Sequence, residues 1–484
     1  MASIDGLVTG MSTTDTINQL MQVEAAPQTA LKSKISTANK VVAAYQSVNT
    51  RLSSLVSATK ALGSSDTWGS MKATSNSTAA AVSAAAGAGA GSLSFRVERL
   101  ASTHTMTFTG QSVSSATDAD AAPVMSGGSF TIAVTPSDIR TITPDNKSLQ
   151  SVAAAINKEA GLPYRAAAVQ IGAGQYTLQL TAKTSGSAAA LDPLTLPDGL
   201  DLIGTTPTTT VGGVDAEITV GTDTPYTITS ATNTFTDVMA GVTVTAAKAQ
   251  APTDPPVTID VVADTEGIAA KVQALVDNAN VALSEIASQS KIKSGELAAG
   301  PLVGDSAMRK IAQDIIGAVS GGAAGLGSSG GIASFSQVGV SVDRSGKLTF
   351  NKADFLKAYN ADEAGTQKFF DSYEDKAGGT AAKFEPGFDT AIGLGRKLEA
   401  VALIASEGVA DPTDSTKAKR GTMQALIERN TATIKGLNNL VSEWDVRLDL
   451  RKTALQKQFS GLEVALGKMQ QQSSWLAGQL AGLG

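Results

Sequence analysis

Two runs of apolar residues, one at each end of the chain, recur at alternating spacings of three and four. Each marks a seam along a helix that needs a helical partner. The N-terminal run passes through Ile17, Leu20, Leu31, Val41, Tyr45, Val48, Leu52 and Leu55. Pro27 stands on the same seam. Proline lacks the N–H that a helix interior uses, so the spacing predicts a break near Ala25–Pro27 and one long helix beyond it. Gly63-Ser64-Ser65-Asp66 ends that helix. The C-terminal run has two parts: Ile434, Leu437, Val441, Trp444 and Leu448, then Leu455, Phe459, Leu462, Leu466, Met469, Leu476 and Leu480. They meet through Lys452 at spacings of four and four, a stutter that unwinds a coiled coil locally without ending it.

Helices of about 45 and 60 residues exceed the usual globular range of roughly 8–20. The C-terminal one also carries Gly436, Gly461, Gly467 and Gly478, each costing about 1 kcal/mol relative to alanine in a helix interior. Good seams on a weak helix imply order that depends on a partner. The terminal segments 1–40 and 450–484 are therefore expected to be disordered in the free monomer and to order on assembly.

Between the ends the texture changes. Short runs rich in Thr, Val and Ile read as strands at Leu93–Leu100, Phe130–Val134, Gln175–Ala182, Glu217–Val220, Tyr226–Thr229, Val242–Ala246 and Val257–Val262. Ala79–Gly91 reads as a low-complexity linker or a weakly structured edge. One helix, Leu149–Lys158, interrupts the strands, and helical spacing returns at Ile268–Ser290 and Ser306–Val319. A hairpin follows, Val338–Val342 with Lys347–Phe350, turned at Asp343-Arg344-Ser345-Gly346. The expected fold is multidomain α+β: long terminal coiled-coil-type helices and a helical leg enclosing a β-rich head of two small domains. Residues 41–70 and 262–449 form the leg domain, 71–105 and 205–261 a β-rich head domain, and 106–204 an inserted α+β domain. The net charge of −6 is unevenly spread, because residues 71–419 alone carry 25 basic and 35 acidic groups.

The residue inventory removes most chemistry. The 484 residues include no cysteine and one histidine, His104. Thiol nucleophiles, disulfides and Cys-held metals are impossible, and any triad or His-held metal would rest on His104 alone. Ser102-Thr103-His104-Thr105 reads instead as a strand or loop with a solvent-facing imidazole. Gly327-Ser328-Ser329-Gly330-Gly331 fits a nucleophile-elbow pattern but lies in a Gly/Ser/Ala run without the strand and helix that pattern needs. Gly87–Gly91 lacks the Lys-Ser/Thr of a phosphate loop, and Asp343–Gly346 lacks the later carboxylates of a calcium loop. We therefore expect no catalytic residue, no metal and no cofactor, hence no enzyme. An acidic chain of pI near 5.1 argues against nucleic acid. Met1–Gly6 shows no basic or apolar leader, and nothing approaches 18 apolar residues, so neither a cleaved signal nor membrane insertion is expected.

Several blocks stand in order along the chain: Ile4–Gly10; Leu20-Met21, Glu24, Pro27 and Ala44-Tyr45-Gln46; Gly91–Ala101; and Asn233-Thr234-Phe235-Thr236-Asp237 with Gly241-Val242-Thr243. Further along stand Gly300–Asp305, Val338-Gly339-Val340 with Gly346-Lys347-Leu348, Gln458–Glu463, and Met469-Gln470 with Ser473–Leu476. In this collinear series the chain resembles the flagellar filament cap family, the flagellar hook-associated protein 2 or FliD family. The resemblance implies export through the flagellar type III apparatus and residence outside the cell at the filament's distal tip. It implies a homo-oligomeric ring, typically a pentamer, beneath which exported flagellin folds and is inserted. The implied partners are self, flagellin and the filament tip, a hook-associated junction protein, and an export chaperone at the C-terminal helix. Another axial (junction) protein and a surface adhesin using the β-rich head are the competing readings. Hydrogen exchange tests the seams directly: both terminal segments should exchange rapidly in dilute monomer and gain protection on assembly, and equal protection in both states would refute partner-dependent order.

Overall fold

The computed structural model describes residues 12–118, 122–135, 137–191, 196–203, 207–295, 298–376, 384–411 and 414–481. The Ile4–Gly10 block lies outside them. The chain divides into two compact units, Met1–Ser65 with Glu266–Gly484, and Asp66–Thr265. The fold is multidomain α+β.

Helix α1 (Thr13–Glu24) begins where the Ser12 hydroxyl accepts the Asp15 N–H, and it ends at Ala25. Helix α2 (Ala26–Leu62) starts at once, with Pro27 in its first turn, where a missing N–H leaves nothing unsatisfied. Gly63 ends it by donating to Thr59 O and Lys60 O. A single turn, α3 (Ser65–Trp68), follows.

The middle unit holds β1 (Met71–Ser75), β2 (Ala80–Ala84), β3 (Gly91–Arg99), β4 (Thr103–Thr107), β5 (Phe130–Thr135), β6 (Asp138–Ile142), α4 (Leu149–Lys158), β7 (Tyr164–Gly172), β8 (Gln175–Ser185) and β9 (Thr208–Val211). It continues through β10 (Ala216–Val220), β11 (Tyr226–Ser230), β12 (Thr234–Met239), β13 (Val242–Ala246) and β14 (Val257–Ala263). Two cores result. A five-stranded antiparallel sheet, β1-β14-β3-β10-β11, and a three-stranded one, β12-β13-β2, share Phe95, Val97, Ile218, Val242, Val244 and Ile259. These residues alternate along their strands, so each sheet turns one face inward. The second core lies under the four-stranded sheet β7-β8-β4-β9 and the hairpin β5-β6. There α4 buries Leu149, Val152 and Ile156, and Ser148 caps it by accepting the Ser151 N–H.

Of the two readings of Ala79–Gly91, the linker is corrected and the edge is what the structure has: β2 lies within the segment as the edge strand of the three-stranded sheet and pairs with β13 (Val82 opposite Val244), and the segment buries Ala80 and Ala88. Small side chains are needed because Gly241, at φ 73°, passes close by; a Cβ there would lie 3.2 Å from Ala88. Low complexity in the sequence is close backbone approach in the fold.

The other unit resumes with α5 (Thr265–Ser290) and α6 (Ser306–Ser320). Then come a hairpin (Val340–Val342 with Leu348–Phe350), α7 (Lys352–Ala361), α8 (Glu363–Asp371), α9 (Leu394–Ala405) and α10 (Thr422–Ala481). In the hairpin turn Asp343 accepts the Ser345 and Lys347 N–H groups, and Gly346 takes φ 84°. Helix α2 packs on α9 and α10, burying Val48, Leu52, Leu55 and Leu62. Arg396 of α9 ties this packing together. Its guanidinium pairs with Asp371 and with Glu399 (3.0 Å), donates to the α2 end at Gly63 O (3.1 Å), and stacks over Phe384 (5.2 Å) and Tyr373 (5.6 Å). Burial pushes the Asp371 carboxyl up, against the pull of Arg396. Arg396→Met strands two inward carboxylates and should cost about 3 kcal/mol, read as a lowered urea midpoint at unchanged slope.

Candidate assembly surface

The two chain ends meet along α1, α2 and α10. Glu24 Oε1 accepts Arg451 Nε (2.8 Å), and Gln28 Nε2 donates to Asp445 Oδ1 (2.5 Å) and Val441 O (3.4 Å). Rising numbers on one side meet falling numbers on the other, so the pairing is antiparallel. Gln28 Oε1 accepts from Lys32 (3.1 Å), so this buried amide is satisfied on both sides.

The seam residues fall into three groups. Ile17, Tyr45, Val48, Leu52, Leu55 and Leu455 are buried. Leu31, Val41, Ile434, Leu437, Val441, Trp444, Leu448, Phe459 and Leu466 are half-buried, Trp444 lying under the Arg447 guanidinium at 4.6 Å. Leu20, Leu462, Met469, Leu476 and Leu480 are exposed, by 44%, 52%, 57%, 55% and 65%, with Trp475 beside them. Leu20 stands off the inward line because that line runs through Ile17, Met21, Glu24, Gln28 and Leu31, with Pro27 outside. The two possible phases share Ile17, Glu24 and Leu31. The inward one is masked in the sequence because it passes through two polar residues, Glu24 and Gln28, where a seam is ordinarily apolar.

The antiparallel register brings Thr13, the first residue of α1, to about the level of Phe459. Helix α10 continues to Ala481, about 30 Å more at 1.5 Å per residue, and the exposed leucines lie on that extension. Their burial therefore requires something further.

Several blocks that carried the resemblance hold local structure. Asp305 caps α6 by accepting the Ala307 (2.7 Å) and Met308 (3.2 Å) N–H groups, and its other oxygen accepts the Tyr45 hydroxyl. Asn233 accepts the Ala101 N–H (2.7 Å), and Asp237, at φ 54°, accepts the Gly241 N–H. Gly339, at φ 79°, leaves no room for a Cβ, which would lie 2.3 Å from Asn351 O. His104 is a correction. It is buried, not solvent-facing, because Thr-rich β9 covers β4 on one side and β8 on the other. Gly327–Gly331 is a short loop containing a single 3-10 turn between two-residue strands. Among the described residues no three His, Cys, Asp or Glu side chains stand together as a metal group, and no helix is long and apolar enough to cross a membrane.

Paired terminal helices with an open apolar extension, joined in sequence to a two-core β-rich unit, define a structural assembly protein. Family models for the flagellar hook-associated protein 2 N-terminus and C-terminus match residues 9–104 and 213–471. The second alone spans more than half of the sequence, and the chain belongs to the flagellar hook-associated protein 2 family. Neither model covers 105–212, nearly the span from β4 to β9 that builds the second core. Over 157 residues the chain is 31% identical to the lateral flagellar hook-associated protein 2 of Vibrio parahaemolyticus. That match covers 32% of this chain and 34% of the relative, about a third of the relative's length. The fold is similar to the D1-D2-D3 domains of the flagellar cap protein FliD from Escherichia coli, with a TM-score of 0.54 and 20% identity over 80% of this chain and 99% of that one.

Burial first, and the Asp305 hydrogen bond second, push the Tyr45 hydroxyl up to about 12. An acid raised on folding stabilises the fold below its unfolded value of 10 and loses that contribution as pH rises toward 12. Tyr45→Phe should therefore flatten the fall in stability between pH 10 and 12, measured by urea titration across that range.

Proposed function

We propose that this chain caps the distal tip of the bacterial flagellar filament, outside the cell. There it forms a homo-oligomeric ring that promotes folding and insertion of exported flagellin. Family membership supports this reading. The observation that carries it is the α10 extension, where Leu462, Met469, Leu476 and Leu480 stand exposed beyond the reach of α1. Four large apolar side chains left in water on one helix are a surface for association.

In this reading the extension docks on like seams at the growing filament end. It releases and docks again as each flagellin enters, which a glycine-interrupted helix permits at modest cost. Before export an export chaperone covers the same stripe of the C-terminal helix, and export runs through the flagellar type III apparatus. The ring is a pentamer, and a hook-associated junction protein receives the first cap. The terminal segments 1–40 and 450–484 are the parts that order on assembly, and the seam residues named above are their contacts.

The double variant Met469→Asp/Leu476→Asp tests this. Its monomer should keep the wild-type unfolding free energy within about 0.5 kcal/mol, read by urea titration, since both sites are exposed. Cells carrying it should shed flagellin into the medium and bear short or absent filaments. Long intact filaments with lost surface attachment would instead favour an adhesin, and electron microscopy showing only monomer at high concentration would count against the ring.

A further inference from the structure

We infer that the paired helices α1 and α10 form a contact between copies of this chain, in which the outer side of α10 in one copy packs on the outer side of α1 in the next. Both outer sides are apolar. On α10, Val446 and Leu450 are 63% and 66% exposed. At about 100° per residue they lie roughly half a turn from the seam residues Leu448 and Leu455, so they face away from the pair. On α1, Val23 is 74% exposed. It stands off the inward line of Ile17, Met21 and Glu24, with exposed Leu20 on the same flank.

The antiparallel register puts the two patches at one height. Val23 adjoins Glu24, whose carboxylate meets Arg451, the neighbour of Leu450. Exposed Ala26 lies two residues before Gln28, whose amide meets Asp445, the neighbour of Val446. The pair is thus apolar on both of its outer sides at the same level. Copies set side by side bury Val23 and Leu20 against Val446 and Leu450 with no shift along the helices. The two surfaces differ, so the contact is heterologous. A heterologous contact without axial shift can close into a ring, whereas an axial shift climbs into an open filament.

Charge favours the same occupant, a second copy. Thr13 lies at about the level of Phe459, so Asp15 comes level with Lys457, which projects from the outer side of α10; both are exposed. At the other end of the patch Glu443, also exposed, flanks Val446 on that side. Helix α2 offers it only cations, since Lys32, Lys34, Lys40, Arg51 and Lys60 are its charged residues and it has no carboxylate. Opposite charges thus bracket the apolar patch, which fixes the orientation of the neighbour. This inference rests on the ring proposed above and names the surface that closes it.

The chain has no cysteine, so engineered thiols are the only ones present. The full chain carrying Val23→Cys and Leu450→Cys, treated with a short thiol-specific crosslinker, should give dimer, trimer and higher species on denaturing gels. Within one copy the two sites are separated by two helix diameters, about 20 Å, so these links join copies. Each single variant should run as monomer, and a mixture of the two should stop at the dimer. Leu450→Asp should raise the concentration for half-assembly at least tenfold and leave the monomer's urea midpoint unchanged, since the site is exposed. Self-linking of either single variant would show a two-fold contact and overturn the inference. Closed rings under the electron microscope in which the double variant stays unlinked would also overturn it, and the ring would then stand on another surface. Monomer alone at high concentration overturns the ring and this contact with it.

Discussion

The pairing of α2 with α10 is the constraint on which the leg unit depends. It joins residues more than 400 positions apart, and loop-closure entropy must be overcome before that contact returns anything. Burial of Ile17 and Leu455, with half-burial of Leu31, Val41, Leu437 and Val441, supplies the return, since a fully buried aliphatic side chain is worth roughly 1.5–3 kcal/mol. The same helix receives α9, whose Arg396 closes the α2 end at Gly63 and pulls in the last residue of α8. Once these contacts form, the short helices between α5 and α10 have a surface to pack on.

Along the pair the packing thins in a definite order. Near α9 the seam residues are wholly buried, because several helices surround them. Farther out only two helices meet, and Leu31, Val41, Leu437 and Val441 are half-covered. There the polar contacts of Gln28 with Asp445 and Glu24 with Arg451 hold register more than they add stability. Beyond α1 the helix α10 is open. One sequence pattern, a repeat of three and four, thus yields core, coiled coil and docking surface in turn, depending only on how many neighbours each stretch has.

The β-rich unit solves a different problem. Its strands are short and poor in large apolar residues, so it divides into two small cores, each with its own sheets. The second is threaded between β3 and β10 of the first, so two adjacent passages must carry all the backbone continuity. Hydrogen bonds donated by Ser102, Gly186 and Ser187, and one that Asn233 accepts from Ala101, bind those passages, which concentrates the joint's strength in a few polar groups.

The sequence by itself determined the elements whose pattern is local. The break at Ala25, the α2 stop at Gly63, α4, the α6 start at Asp305 and the turn at Asp343 all follow from caps, proline, glycine and periodicity. The absence of cysteine and the single histidine bounded the chemistry in the same way. Strands β1, β2, β7 and β9 were not legible, because alanine and threonine there have no strong preference until a neighbouring strand offers hydrogen bonds. The inward phase of the N-terminal seam was hidden for a related reason: Gln28 is a core residue only because Asp445 and Val441 lie opposite it. His104 shows the same limit, as its burial depends on β9 and Leu191, about a hundred residues away. Only the tertiary structure could decide these, because burial is a property of what packs alongside a residue and not of the residues that precede and follow it.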